Sequence, residues 1–249
     1  MSAPLIKLCG LMRPEDAEAA VAAGADFVGV VFASESRRRR TVEQARRIVA
    51  AVESAAGSRR QHPRPDLLLP HGSGHLWFNR CRTGIEQLLP AHRPLVVGVF
   101  ADQPVSLVNA ISEAVGLDLI QLSGYERWDD ALACHRPVIK AVRIEPDDDG
   151  TFAAADIEPG TASLLLVDAF VPGAVGGTGR LANWDAAARV ASQFPIMLAG
   201  GLTPENVPLA VHRVRPWAVD VSSGIERDGH KDPELMRSFA AAVCGAVRA

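Results

Sequence analysis

Short apolar runs alternate along this chain with segments whose apolar positions recur at helical spacing. Strands are expected at Leu5–Cys9, Phe27–Phe32, Leu95–Phe100, Asp118–Leu122, Pro137–Val142, Ser163–Val167, Ile196–Ala199 and Ala218–Val221. These runs are apolar throughout rather than alternating, as strands are when a parallel sheet is covered on both faces. Helical patterns fall between most of them: Pro14 to Ala23, Ala45–Glu53, Val105–Val115, Asp185–Gln193, Glu205–Val214 and Pro233–Val247. Their starts carry physical signals. Pro14 loses no needed N–H in a first helical turn, and Glu15 and Asp16 suit the positive end of the helix dipole. Thr41-Val-Glu-Gln44 reads as a capping box, with hydroxyl and amide each satisfying an orphan backbone donor. Eight strand–helix units in 249 residues predict an α/β fold of the (β/α)8 TIM barrel type, one domain over 1–249. A doubly wound open sheet is the alternative, but Cys9-Gly10-Leu11-Met12 lacks the G-x-G-x-x-G turn expected after its first strand.

The rhythm breaks once, between Ala56 and Pro94. That stretch shows no convincing strand and carries Arg59-Arg60, several prolines and four of the seven histidines (His62, His71, His75, His92). It is expected to be an irregular insertion between helix 2 and strand 3. Following a helix and preceding a strand, it belongs at the bottom of a barrel, away from the active-site end. His71, His75 and Cys81 could in principle hold zinc, yet two histidines four apart without a helix read better as a solvated loop, so no metal is expected.

Composition narrows the function classes. At 48% hydrophobic residues the chain can bury a sizeable core, and a formal charge of −3 argues against a basic nucleic-acid binder. No apolar run reaches the ~20 residues of a membrane span, and Met1 to Lys7 lack a secretory pattern. Cys9, Cys81, Cys134 and Cys244 show no CxxC spacing and read as free thiols in a reducing compartment, which points to the cytoplasm.

Candidate chemistry is sought where strands end, because a barrel gathers its site there. Gly200-Gly201 ends the seventh strand, and Ser222-Ser223-Gly224 ends the eighth. Exposed backbone N–H groups at these adjacent loops can ring a phosphate. Cys9 ends the first strand, where a thiolate can act as a general base. Asp168 closes the run Leu164–Val167, and a carboxylate there must be partnered or functional. One arginine of Arg37–Arg40 could reach a carboxylate with its planar fork. Gly176-Gly177-Thr178-Gly179 is either a mobile loop over the site or a surface turn.

These motifs, in this order, resemble the phosphoribosylanthranilate isomerase family. The resemblance is carried by Lys7-Leu-Cys9-Gly10 with Arg13–Asp16, Val99-Phe100, Val167-Asp168-Ala169 with Pro172-Gly173, and Gly176–Gly179. Leu198–Leu202 with Pro204–Val207, and Val219–Glu226 with Lys231-Asp232, complete it. It spans the chain except roughly 56–94. It implies a cofactor-free Amadori rearrangement of N-(5-phosphoribosyl)anthranilate to 1-(2-carboxyphenylamino)-1-deoxyribulose 5-phosphate, in tryptophan biosynthesis. By that resemblance Cys9 is the general base and Asp168 the general acid. Arg38 holds the anthranilate carboxylate, and Gly177, Gly200, Gly201, Asp220, Ser222, Ser223 and Gly224 contact the substrate. The expected partner is a small phosphosugar, with no nucleic acid or membrane, and the state a monomer or homodimer.

Three departures stand out. Ser123-Gly124-Tyr125-Glu126 replaces the family's His-Gly-Asp-Glu after the fourth strand, Arg37 replaces the proline of Ser-Pro-Arg, and the insertion adds basic residues and histidines. They open two other readings: the same reaction class on a different aminosugar phosphate or arylamine, or a non-catalytic paralogue that binds a phosphorylated ligand or a partner protein. Retention of Cys9, Asp168 and the phosphate loops weighs against the second.

Overall fold

The computed structural model describes residues 3–57, 74, 76–145, 148–169 and 183–246. Eight parallel strands close into a barrel in chain order: β1 (Leu5–Cys9), β2 (Phe27–Val31), β3 (Leu95–Phe100), β4 (Leu119–Leu122), β5 (Val138–Arg143), β6 (Leu164–Asp168), β7 (Ile196–Ala199) and β8 (Ala218–Val221). The outer ring is α1 (Pro14–Ala22), α2 (Val42–Ala56), α4 (Val105–Val115), α5 (Thr151–Ala155), α6 (Trp184–Ala191), α7 (Val207–Val214) and α8 (Pro233–Gly245). A 3-10 helix (Trp128–Ala133) stands between β4 and β5. After β8 a two-stranded hairpin forms from β9 (Glu226–Arg227) and β10 (His230–Lys231). The TIM barrel expected from the sequence is the observed architecture.

Alternation along each strand sorts the core into two layers. Ile6 and Leu8, Val28 and Val30, Leu165 and Val167 face outward and pack with the helices. Phe27, Leu95, Val97, Leu119, Ile139, Leu164, Leu166, Met197 and Ala218 fill the interior. The expected helix starts are present. Thr41 Oγ1 accepts from Gln44 N at 3.2 Å while Thr41 N donates to Gln44 Oε1 at 3.0 Å.

The 56–94 segment departs from expectation. Its second half is not irregular but forms α3 (Trp77–His92). Trp77, Phe78, Cys81, Ile85 and Leu89 are its buried positions, spaced so that one stripe faces the barrel. Ile85 and Leu89 join the interior cluster itself. Trp77 Nε1 donates to Ala162 O at 2.6 Å, and Trp217 Nε1 donates to Glu86 Oε1 at 2.8 Å. Ala162 and Trp217 stand just before β6 and β8, so α3 closes the barrel at its N-terminal end. Pro90, which masks the helical period in sequence, falls in the last turn. His71 and His75 lie outside the described residues.

The N-terminal end is also pinned by buried carboxylates. Asp26 Oδ2 accepts from Ile6 N at 2.8 Å and Asp118 Oδ2 from Val96 N at 2.7 Å, satisfying strand donors where the ladder begins. The opposite end is left to loops and polar side chains.

Candidate active site

The inward face of β1 carries Lys7 and then Cys9, two residues apart and therefore on the same side. Cys9 packs against Val31 and Val99 of the next two strands. Its room comes from Gly29, where a Cβ would lie 2.6 Å from the Cys9 Sγ. Beneath it Lys7 is wholly buried, and its Nζ donates to Asp220 Oδ1 at 2.8 Å. The Lys7 charge also acts on the Cys9 sulfur, the next inward position of the same strand. Burial pushes the Cys9 thiol up; Lys7 and Lys231 pull it back and Asp220 adds to the rise, leaving it above the ordinary cysteine value.

Asp168 is the last residue of β6 and continues the inward alternation of Leu164 and Leu166. It pairs in register with Arg143 of β5 and Ala199 of β7. Cys9 and Asp168 thus both belong to the inner face at the C-terminal mouth, with β7 and β8 between their strands.

Glycine conformation explains the two loops beside them. Gly200 and Gly201 have φ of 103° and 65°, a region that side-chain-bearing residues rarely adopt. Asn206 ties the loop down, its Nδ2 donating to Gly201 O at 2.9 Å and its Oδ1 accepting from Thr203 N at 2.8 Å. A Cβ on Gly224 would lie 1.9 Å from Leu202 O. The loops after β7 and β8 therefore pack backbone to backbone.

The hairpin β9–β10 carries a buried charge cluster. Glu226 takes the guanidinium of Arg38 bidentately, Nε at 2.6 Å and a second nitrogen at 2.9 Å, and also pairs with Arg37. Lys231 Nζ donates to Glu226 Oε1 and to Ser222 O, each at 2.8 Å. Burial pushes the Glu226 carboxyl up, but Arg38 and Lys231 override it and hold it down at about 2. Gly10 closes the contact from β1, since a Cβ there would meet Arg38 Cδ at 2.5 Å and Ser222 Oγ at 3.0 Å.

Across the mouth, Gln121 of β4 faces inward, with Nε2 donating to Ser123 Oγ at 2.9 Å. Its Oε1 is buried with no hydrogen-bond partner among the described residues. Arg143 donates to Ser123 O at 2.8 Å and lies 5.2 Å over the Tyr125 ring.

Cys9, Arg38, Asp168, Gly200, Gly201, Asp220, Ser222, Ser223 and Gly224 therefore gather at one end of the barrel. Gly177 lies outside the described residues. Two of these side chains already have protein partners. Asp220 presents its carboxylate to Lys7, and the Arg38 fork already rests on Glu226. Lys7, Lys231, Glu226 and Gln121 have no role in the sequence reading. A lysine inside a buried strand, two residues before a cysteine, is the signal that could have drawn notice to the first.

Such a mouth places the chain among (β/α)8 barrels that carry their polar site on the C-terminal loops. A sequence model described as N-(5'-phosphoribosyl)anthranilate isomerase matches residues 80–242. An enzyme of that name from Roseiflexus castenholzii is 43% identical over 246 residues, covering 98% of this chain and all of that protein. The chain is also 40% identical to a multifunctional tryptophan biosynthesis protein of Phycomyces blakesleeanus, of which it spans only 32%. A solved phosphoribosylanthranilate isomerase in complex with reduced 1-(o-carboxyphenylamino)-1-deoxyribulose 5-phosphate superposes with a TM-score of 0.68. It is 29% identical, with 97% of this chain and 99% of that one covered. The chain belongs to the N-(5'-phosphoribosyl)anthranilate isomerase family.

Proposed function

We propose that this chain converts N-(5-phosphoribosyl)anthranilate to 1-(2-carboxyphenylamino)-1-deoxyribulose 5-phosphate, and that Cys9 and Asp168 carry the proton transfers. Asp168 protonates the furanose oxygen, so the ring opens to an iminium. The iminium makes the C2 proton acidic, and the Cys9 thiolate removes it. The enolamine then takes a proton at C1 as its C2 hydroxyl loses one, which restores the acid form of Asp168 by way of solvent, and the ketose results. One hydrogen has moved from C2 to C1 without net oxidation, so the chemistry calls for no cofactor.

The loops of Gly200-Gly201 and Ser222-Ser223-Gly224 receive the phosphate through backbone N–H groups. The N–H donors of Arg38 that Glu226 does not use are directed at the anthranilate carboxylate. The buried Gln121 Oε1 offers an acceptor to a substrate hydroxyl or N–H. The observation that supports this reading best is the thiol of Cys9, seated on a buried ammonium, in the same mouth as the inward carboxylate ending β6. No helix among the described residues is long and apolar enough to cross a membrane. With the thiols free, the cytoplasm is the compartment proposed.

The test is the purified protein with phosphoribosylanthranilate generated in situ. Fluorescence should decay faster than spontaneous hydrolysis, without release of free anthranilate. Decay no faster than the blank, with the reduced product analogue still bound, would instead favour another aminosugar phosphate or a non-catalytic role.

A further inference from the structure

We infer that Lys7, anchored by Asp220, is a positioning residue that holds the Cys9 sulfur as the acceptor of the substrate's C2 proton; this rests on Cys9 being the base. The geometry is a stack on the inner wall of the barrel. Asp220 of β8 grips the Lys7 ammonium at 2.8 Å, and Cys9 is the next inward position above Lys7 on β1. Lys7 and Asp220 pair in register across the β1–β8 ladder, so the strands themselves fix the contact.

A structural explanation of this ion pair is weak. The interior around it is filled by leucine, isoleucine, valine and phenylalanine. Replacing a buried ion pair by well-packed apolar residues is often neutral or stabilising. A fully buried lysine therefore calls for another reason to be there. The sulfur beside it supplies one, because a buried thiol becomes a thiolate only with a cation close by.

The charged groups acting on Cys9 come from four places: Lys7 on β1, Asp220 on β8, Lys231 on β10 and Arg38 after β2. Arg38 and Lys231 are both engaged by Glu226. Burial pulls Lys231 below the usual lysine value. Burial also pulls at Lys7, but the charges of Asp220 and Cys9 outweigh it and keep Lys7 above its usual value. The 2.8 Å contact with Asp220 favours the ammonium form of Lys7. When the C2–H bond breaks, its electron pair enters the enolamine and its proton passes to sulfur. The Lys7 proton stays in place between Asp220 and Cys9.

The experiment measures Cys9 directly. Iodoacetamide alkylation of the Cys9 peptide, followed by mass spectrometry against pH, gives the thiolate midpoint without reference to turnover. Removing a cation from beside a thiol raises its midpoint. Lys7→Met should therefore shift the profile to higher pH by one unit or more, which is about tenfold slower alkylation at a fixed pH below both midpoints. The acidic limb of kcat/KM should move the same way. Lys7→Arg, which keeps the charge, should hold the profile closer to the parent than Lys7→Met does. Because Lys7→Met strands a buried carboxylate, Lys7→Met/Asp220→Asn removes both charges, and it too should titrate above the parent. An unchanged midpoint in the folded double variant would overturn the role of Lys7. Full activity in Cys9→Ala, with the Lys7-dependent midpoint intact, would instead remove Cys9 as the base.

Discussion

Gly29 shows how much of this site depends on one missing atom. Its Cβ would stand 2.6 Å from the Cys9 sulfur and 3.1 Å from the Cys9 Cα, so Gly29→Ala must push the thiol off its place. Gly29 is not among the positive-φ glycines, so the backbone can accept alanine and the effect falls on the sulfur. A displacement of ~1 Å at a reacting group can cost ~10²-fold in rate. Gly29→Ala is expected to lower kcat by about that factor with little change in melting temperature, checked by steady-state kinetics beside a thermal melt. Residues that end apolar runs, Cys9 and Asp168 among them, are visible in the sequence because a strand end is where a polar atom can face a ligand. Lys7 is not, because its meaning depends on a carboxylate 213 residues away. The same holds for Glu226 and Arg38, joined across 188 residues. No local pattern pairs them; the closing of β8 onto β1 does.

Elements are legible in the sequence where composition is one-sided. Strands buried on both faces are short and apolar, and their runs coincide with the observed β1 to β8 within a residue or so. Helices announced by caps, such as Thr41 and Gln44 for α2, are likewise legible. α3 is not, because its apolar stripe is diluted by Arg80, Arg82, Gly84 and Pro90, and because its partner is the barrel interior rather than a neighbouring helix. Its packing makes a prediction. Leu89 is buried in the interior cluster at the end opposite the mouth. Leu89→Ala should cost about 2–5 kcal/mol of stability, read from denaturant unfolding, while KM and kcat at low temperature stay near the parent values. Loss of kcat at unchanged stability would show instead that α3 acts on the site.

At the scale of the molecule, stability and chemistry occupy opposite ends of one barrel. Carboxylates at the N-terminal end, Asp26 and Asp118, accept strand N–H groups, and α3 covers that end with Trp77, Ile85 and Leu89. The C-terminal end holds the Arg38, Glu226 and Lys231 cluster and the positive-φ glycines Gly10, Gly200 and Gly201. Family membership fixes the kind of barrel; the chemistry proposed for it depends on Cys9 and Asp168 sharing one substrate. The most direct measurement is therefore the turnover of phosphoribosylanthranilate by Cys9→Ala and by Asp168→Asn, each beside its affinity for the reduced product analogue. Each variant should lose ~10²–10⁴-fold in kcat while binding the analogue within a few-fold of the parent. Turnover near the parent rate in either one would contradict the assignment of that residue.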